Sequence, residues 1–96
     1  MKFEWHDAKS RKNIEKHGVS FDEAVLLLSS SATDCLEIYD DAHSLDEERF
    51  ISIGPISRGI ILVIWTERTE ETVRIISARF ATKREVQLYH EYMEAT

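Results

Sequence analysis

Cysteine, proline and glycine are scarce in this sequence, and each shortage excludes a class of protein. The single cysteine, Cys35, excludes an internal disulfide and fits a reducing compartment. One proline and three glycines leave no flexible linker or low-complexity tail. No apolar run reaches the roughly 18 residues of a transmembrane helix, and the first residues lack the apolar stretch of a secretory signal. We therefore expect a cytoplasmic protein with no membrane partner.

Charge is unevenly distributed along the chain. The 96 residues are 43% hydrophobic and 31% charged, which predicts one soluble domain over residues 1–96. The net charge of −6 argues against a nucleic-acid partner, yet residues 20–48 alone hold nine acidic residues and no Lys or Arg. Basic residues outnumber acidic ones in residues 1–17 and 49–85. The chain therefore has two basic segments, which weakens the argument against a nucleic-acid partner.

Three segments have the features of helices. HDAKSRKNIEKHG is polar, has Ile14 as its one strong apolar residue, and ends at Gly18, which suits a left-handed helix end. The next helix follows Ser20, which forms an S-x-x-E capping box with Glu23. Its apolar stripe consists of Phe21, Ala24, Val25 and Leu28. The last helix follows a second capping box, formed by Thr82 and Glu85, and this structural role fully accounts for both residues.

Five segments have the features of strands. They are KFEW, ATDCLEIYD, RFISIG, IILVIWTE and TVRIISARF. The short connections between the last four favour antiparallel neighbours. IILVIWTE has apolar residues at both odd and even positions, so both faces of this strand are apolar. We therefore expect a central strand with Trp65 buried. The order of elements predicts an α+β fold, with two N-terminal helices and one C-terminal helix packed on an antiparallel sheet.

The last strand carries two arginines, Arg74 and Arg79. Strict alternation of side chains would put them on opposite faces of the sheet. We then expect Arg74 to pair with Glu70 or Glu71 in the preceding turn, and Arg79 to bind an anion at the start of the last helix. A β-bulge near Ser77 would instead bring both arginines to one face. We favour the separation.

Metal and nucleophile sites are not indicated. The four histidines, at positions 6, 17, 43 and 90, and Cys35 lack the spacings of common metal motifs, so we expect no metal and no cofactor. Cys35 also lies in the acidic segment, which disfavours a reactive thiolate. The three glycines are too far apart for a phosphate-binding loop. What remains is a set of cations at the ends of elements.

Four sequence signatures occur in a fixed order between Phe3 and Tyr89: FEWHDAK…N…KHGVSFDEA, DAHSLDEERF…IG, LVIWTER and RIISARFATKRE…Y. Together they resemble the BrnT family of bacterial type II toxins. The resemblance implies a RelE-like α+β endoribonuclease that slows translation by cutting RNA. It also implies a BrnA-type antitoxin with a DNA-binding domain, so that this chain meets DNA only through its partner. Two positions depart from the family pattern: His6 replaces an Asp, and Phe80 replaces a basic residue.

RNA cleavage without a metal uses the neighbouring 2′-OH as nucleophile, so the enzyme must hold the phosphate, offset its charge and move protons. Arginine suits the phosphate because its fork matches two oxygens and stays protonated. The candidate site residues are Arg79, Arg68 and Arg49 for the phosphate, Lys16 for the RNA backbone, His17 as general acid and Glu48 as base. Among the arginines we favour Arg79, expecting it to share a sheet end with Arg49 and to lie far from Arg68.

Two alternatives remain open from the sequence. The first is a weakly active or inactive homologue that serves mainly as the antitoxin's partner in repression of their operon. The departure at Phe80 and the net acidity favour this alternative. The second is an RNA-binding module without catalytic activity.

Overall fold

The computed structural model describes residues 1–29, 35–43 and 47–95. Its elements are β1 (Lys2–Glu4), α1 (Asp7–His17), α2 (Phe21–Ser29), β2 (Leu36–Tyr39), a 3₁₀ helix (Asp41–His43), β3 (Phe50–Ile56), β4 (Gly59–Thr69), β5 (Thr72–Phe80) and α3 (Lys83–Glu94). The α+β class and the predicted order of strands and helices are confirmed. Residues 32–34, which we predicted as the start of β2, lie outside the described residues. No helix in the described part of the chain is long and apolar enough to span a membrane.

One sheet contains all five strands, in the order β1-β5-β4-β3-β2. The neighbours from β2 to β5 are antiparallel, as expected, and β4 is central. Trp65 in β4 is 8% exposed, which confirms its predicted burial. The expectation of a wholly antiparallel sheet was wrong, because β1 pairs with β5 in parallel. Two helices separate β1 from the next strand, so no hairpin turn fixes its direction.

The sheet has two apolar faces, which we call the helix-pair face and the α3 face. The core of the helix-pair face contains Val19, Phe21, Ala24, Leu27, Ile61, Val63, Trp65, Val73, Ile75 and Ala78. The smaller core of the α3 face contains Ile53, Leu62 and Tyr89. In α2 the fully buried leucine is Leu27, whereas Leu28 of the predicted stripe packs at the margin of the core. The fully buried residues of this short helix are therefore Phe21, Ala24 and Leu27, which are spaced three residues apart.

Asn13 fastens α1 to the sheet. It is buried, while Ile14 is 46% exposed, so the anchor of this helix is polar. The Asn13 amide nitrogen donates to the carbonyls of Val19 at 2.8 Å and Ala78 at 2.7 Å, and its oxygen accepts from the Ala78 N–H at 3.2 Å. Since β1 pairs with β5 only as far as Arg74, the Asn13 amide acts as the strand partner of Ala78.

Local backbone signals end and begin the helices where the sequence predicts. Gly18 adopts the left-handed conformation after α1, with φ of 72°. The Ser20 hydroxyl accepts from the Glu23 N–H at 3.1 Å, and the Glu23 carboxylate accepts from the Ser20 N–H at 3.0 Å. The same reciprocal pair joins Thr82 and Glu85 at the start of α3. Both predicted capping boxes are confirmed.

Replacement of Asn13 tests its role as the anchor of α1. We expect Asn13→Ala to lower the free energy of unfolding by about 2 kcal/mol or more, because the buried polar groups of Ala78 lose their partner. The matched control is Ile14→Ala on the exposed side of the same helix, which should change stability by about 0.5 kcal/mol or less. Urea unfolding followed by circular dichroism measures both. Equal effects of the two changes would contradict the assignment.

Candidate phosphate-binding face

A β-bulge interrupts the pairing of β5 with β4. Ile64 lies opposite Ser77, whereas the next residue of β4, Trp65, lies opposite Ile75. Ile76 is therefore an extra residue in β5 without a counterpart in β4. Such a residue reverses the alternation of the side chains that follow it.

The bulge changes which residues of β5 share a face. Before it, Arg74 lies opposite Thr66; after it, Arg79 lies opposite Leu62. Leu62 and Thr66 are four residues apart in β4 and point to the same face, the one that carries α3. Arg74 and Arg79 are consequently both on the α3 face, while Ala78 joins the core on the other side. The predicted separation of the two arginines was wrong.

Arg49 belongs to the same face at the other end of the sheet. It precedes Phe50, which lies opposite Trp65, so Arg49 falls beside Thr66. The backbone carbonyl of Glu48 accepts a hydrogen bond from the Thr66 hydroxyl at 2.6 Å, which fixes the chain at this point. Arg49, Thr66 and Arg74 therefore form a row across β3, β4 and β5.

Arg49 and Arg79 do not share a sheet end, contrary to the expectation from sequence. Arg79 lies opposite Leu62, four residues along β4 from Thr66, a distance of about 13 Å. The shift arises because β3 begins at Phe50, level with the middle of β5 rather than with its end. Arg68 lies six residues along β4 from Leu62, about 20 Å away, so its expected separation from Arg79 is confirmed.

Arg49, Arg74 and Arg79 each pair with a glutamate from a different part of the chain. The ion pairs are Arg79 with Glu85 at 2.7 Å, Arg74 with Glu4 at 2.8 Å and Arg49 with Glu47 at 3.8 Å. The expected pairing of Arg74 with the turn was wrong, because the parallel register of β1 puts Glu4 directly opposite it. The side chains of Arg49, Arg74 and Arg79 remain about one-third exposed, at 35%, 28% and 32%. Phosphate oxygens can therefore reach all three.

The Arg79–Glu85 pair is the most extensive of these contacts. Both terminal nitrogens of Arg79 donate to the two carboxylate oxygens of Glu85, at 2.7 and 2.9 Å. The Arg79 hydrogen bonds, followed by the backbone N–H of Thr82, lower the pKa of Glu85 to about 2. The pKa of Arg79 is raised by the same contact. Glu85 thus caps α3 and also holds the guanidinium of Arg79 at the start of that helix.

The predicted acid and base lie toward opposite ends of β5. Arg58 in the turn after β3 donates to the Gly18 carbonyl at 2.6 Å and lies 5.3 Å from the ring centre of Phe80. His17 and Lys16, at the end of α1, are therefore at the Arg79 end of the strand. Glu48 is exposed and adjoins Arg49 at the other end. The structure does not bring Glu48 and His17 together.

The two departures from the family pattern have local explanations. His6 occupies the cap position of α1 without a capping hydrogen bond, and Asp7 follows in the first turn, where a carboxylate suits the helix dipole. Phe80 lies under the guanidinium of Arg58, which also pairs with Glu23 at 2.8 Å. Position 80 thus contributes to a surface contact with Arg58.

Sequence reasoning missed two residues of this arrangement. Arg74 was assigned a purely structural role because regular alternation placed it on the other face. Asn13, which holds α1 beside β5, carried only one signal, its place in the first family signature. Helical periodicity normally predicts that the apolar residue is buried and the polar residue is exposed. In α1 the opposite holds, because Asn13 is buried and Ile14 is exposed.

Comparison with known proteins identifies the class. A family model for the ribonuclease toxin BrnT of type II toxin–antitoxin systems matches residues 5–85. The chain therefore belongs to the BrnT family. Its structure is similar to the 1.1 Å crystal structure of the Brucella abortus ribonuclease toxin BrnT, with a TM-score of 0.67 and 28% identity over 86% of this chain and 99% of that one. No curated protein matches the chain.

Acid should weaken the Arg79–Glu85 pair. Because the pKa of Glu85 falls from 4.5 to about 2 on folding, the pair contributes fully above about pH 4.5 and is lost as the pH falls toward 2. We expect Glu85→Gln to destabilise the protein at pH 7 and to lose less of its remaining stability across that acid range. Urea unfolding at a series of pH values measures this change. Glu91→Gln, an exposed position on the same helix, is the control.

The pKa of Glu23 is also lowered to about 2, first by its hydrogen bond with Arg58. The Glu85 variant should therefore keep part of the acid sensitivity. A stability profile for Glu85→Gln that matches the Glu91→Gln profile would show that the pair with Arg79 does not stabilise the fold.

Proposed function

We propose that this chain is a metal-independent endoribonuclease that inhibits translation by cleaving RNA on the α3 face. The observation that carries the proposal is the convergence of Arg49, Arg74 and Arg79 on one face of the sheet, despite the net charge of −6. Phosphate contacts from arginine supply affinity for RNA without regard to sequence.

The cleavage step uses the RNA's own nucleophile. The 2′-oxygen attacks the adjacent phosphorus, the bond to the 5′-oxygen breaks, and a cyclic phosphate remains on the upstream fragment. Arg79 would offset the charge that develops on the phosphate oxygens, since its guanidinium retains N–H groups beyond those bound to Glu85. His17 lies at the same end of β5, on the helix whose Asn13 pairs with the edge of that strand, and would protonate the leaving 5′-oxygen of an RNA strand that passes this edge. Lys16 would contact the neighbouring backbone.

Glu48 is a poor base for a phosphate held by Arg79. It falls five residues from the Arg79 level in register, about 16 Å along the sheet, which exceeds the reach of one reacting phosphate. We therefore reassign Arg49 and Arg68 to the path of the RNA strand on one side of the scissile bond and give Glu48 no role in cleavage. Solvent water takes up the 2′-OH proton in this scheme.

The family description includes an antitoxin as the partner of such a toxin. We propose a cytoplasmic complex with a BrnA-type antitoxin whose DNA-binding domain represses their common operon. This chain would then meet DNA only through its partner.

A weakly active homologue that acts mainly in repression is the second candidate. Its support is that Arg49, Arg74 and Arg79 each already pair with a glutamate, which lowers the positive potential available to RNA. Phe80, where the family usually has a basic residue, removes one further phosphate contact.

Growth arrest on expression without antitoxin tests the assignment of Arg79. We expect Arg79→Ala to reduce RNA cleavage by about 100-fold or more, because a group that stabilises the transition state is removed. Glu85→Gln is the matched control: it removes the same ion pair but keeps the guanidinium, and it should retain cleavage once the folded fraction is taken into account. Arg68→Ala, at the far end of β4, should weaken RNA binding and leave the rate of the cleavage step unchanged.

Folding of each variant is verified by circular dichroism before cleavage of a labelled RNA is measured. If Glu85→Gln abolishes cleavage as completely as Arg79→Ala, the pair acts through the fold rather than through the phosphate. If Arg68→Ala abolishes growth arrest and Arg79→Ala does not, the active site is at the other end of the sheet. Full-length RNA in the presence of the folded wild-type protein would favour the second candidate.

A further inference from the structure

A pocket opens mainly on the helix-pair face, the side of the sheet away from the arginines, and Tyr92 of α3 also lines it. It has a volume of about 380 Å³, within the range of ligand-binding pockets. Phe3 of β1, Val73 of β5 and Trp65 of β4 contribute to its lining, and Leu28 at the end of α2 contributes from the helix layer. The pocket therefore joins the sheet to the helix layer beside α2.

The base of the pocket is apolar. Trp65 and Val73 belong to the buried core, and Phe3 packs against it. The indole N–H of Trp65 donates to the Ser52 hydroxyl at 2.9 Å, so this polar group is already satisfied within the protein. An apolar side chain can enter without leaving that donor unpaired, which is the main cost of filling a partly polar pocket.

The margin of the pocket is acidic. Glu37 of β2 and Glu67 of β4 line it and are exposed, and none of the described residues that line it is a Lys or Arg. Glu37 also lies in the segment of residues 20–48, which holds nine acidic residues and no Lys or Arg. This charge repels RNA phosphates and attracts Lys or Arg side chains.

We propose that this pocket binds the antitoxin through a segment in which an apolar side chain is flanked by Lys or Arg. Apolar anchors in a desolvated pocket supply most of the affinity of protein interfaces, and a charged margin supplies orientation and association rate. The inference rests on membership of a toxin–antitoxin family, which requires a protein partner, and not on the cleavage mechanism. The partner is thereby anchored on the face opposite the arginines.

The test compares two variants of equal net charge. Glu37→Lys combined with Glu67→Lys reverses the margin of the pocket, while Glu15→Lys combined with Glu91→Lys makes the same charge change at exposed positions on α1 and α3. The probe is the purified protein encoded by the open reading frame adjacent to this gene, titrated calorimetrically at two salt concentrations. We expect the pocket variant to bind about tenfold more weakly or worse, with a reduced salt dependence. The control variant should bind like the wild type.

Equal Kd values for the pocket variant and the control would overturn the proposal. So would a loss of affinity that follows Arg74→Ala but not the pocket variant, because the partner would then cover the α3 face. Analytical ultracentrifugation of the chain alone tests whether a second copy of the chain occupies the pocket. Self-association that the pocket variant abolishes would assign the pocket to that second copy. The Gln versions of both pocket changes provide a check if the Lys versions fold poorly.

RNA cleavage by the free pocket variant keeps the two proposals distinguishable. Weaker antitoxin binding with wild-type cleavage supports the pocket assignment. An absence of cleavage by the wild-type chain would remove the proposed ribonuclease mechanism and leave the binding comparison unchanged.

Discussion

The bulge at Ile76 is the constraint on which both faces of the sheet depend. If β5 paired regularly with β4 through Ile76, Ala78 would leave the core beneath the first two helices, and Arg79 would replace it there. A buried guanidinium at that position would need a partner that the apolar core does not offer. The bulge keeps the small side chain of Ala78 in the core and the guanidinium of Arg79 on the partly exposed α3 face. Packing on one face and charge on the other are therefore consequences of one irregularity.

Pairing with glutamate gives the arginine face a defined geometry. A free arginine side chain loses much rotational freedom when it binds a phosphate, whereas one held by a carboxylate has already lost part of it. Arg79 illustrates this, because Glu85 holds both terminal nitrogens and is itself fixed by the start of α3. The cost is a lower positive potential at the surface. Preorganisation and attraction for RNA thus oppose each other at this site.

The sequence was sufficient to predict the helices and strands, but it was insufficient to predict how the strands align with one another. Capping boxes, the glycine after α1 and the doubly apolar β4 depend on local interactions, and these predictions were correct. The parallel direction of β1, the level of Arg49 and the face of Arg74 depend on how distant strands align. A one-residue shift reverses the faces of every later side chain, and nothing within RIISARF distinguishes a bulged strand from a regular one. The convergence of the arginines was therefore beyond local reasoning.

The parallel pairing of β1 with β5 has a consequence for synthesis of the protein. Glu4 and Arg74 are 70 residues apart in the chain, and Asn13 and Ala78 are 65 apart. Both contacts must wait until β5 has left the ribosome, since long-range pairings form only when both strands are available. The nascent chain consequently lacks its arginine face until β5 has left the ribosome, and the residues that precede β5 cannot form this face by themselves.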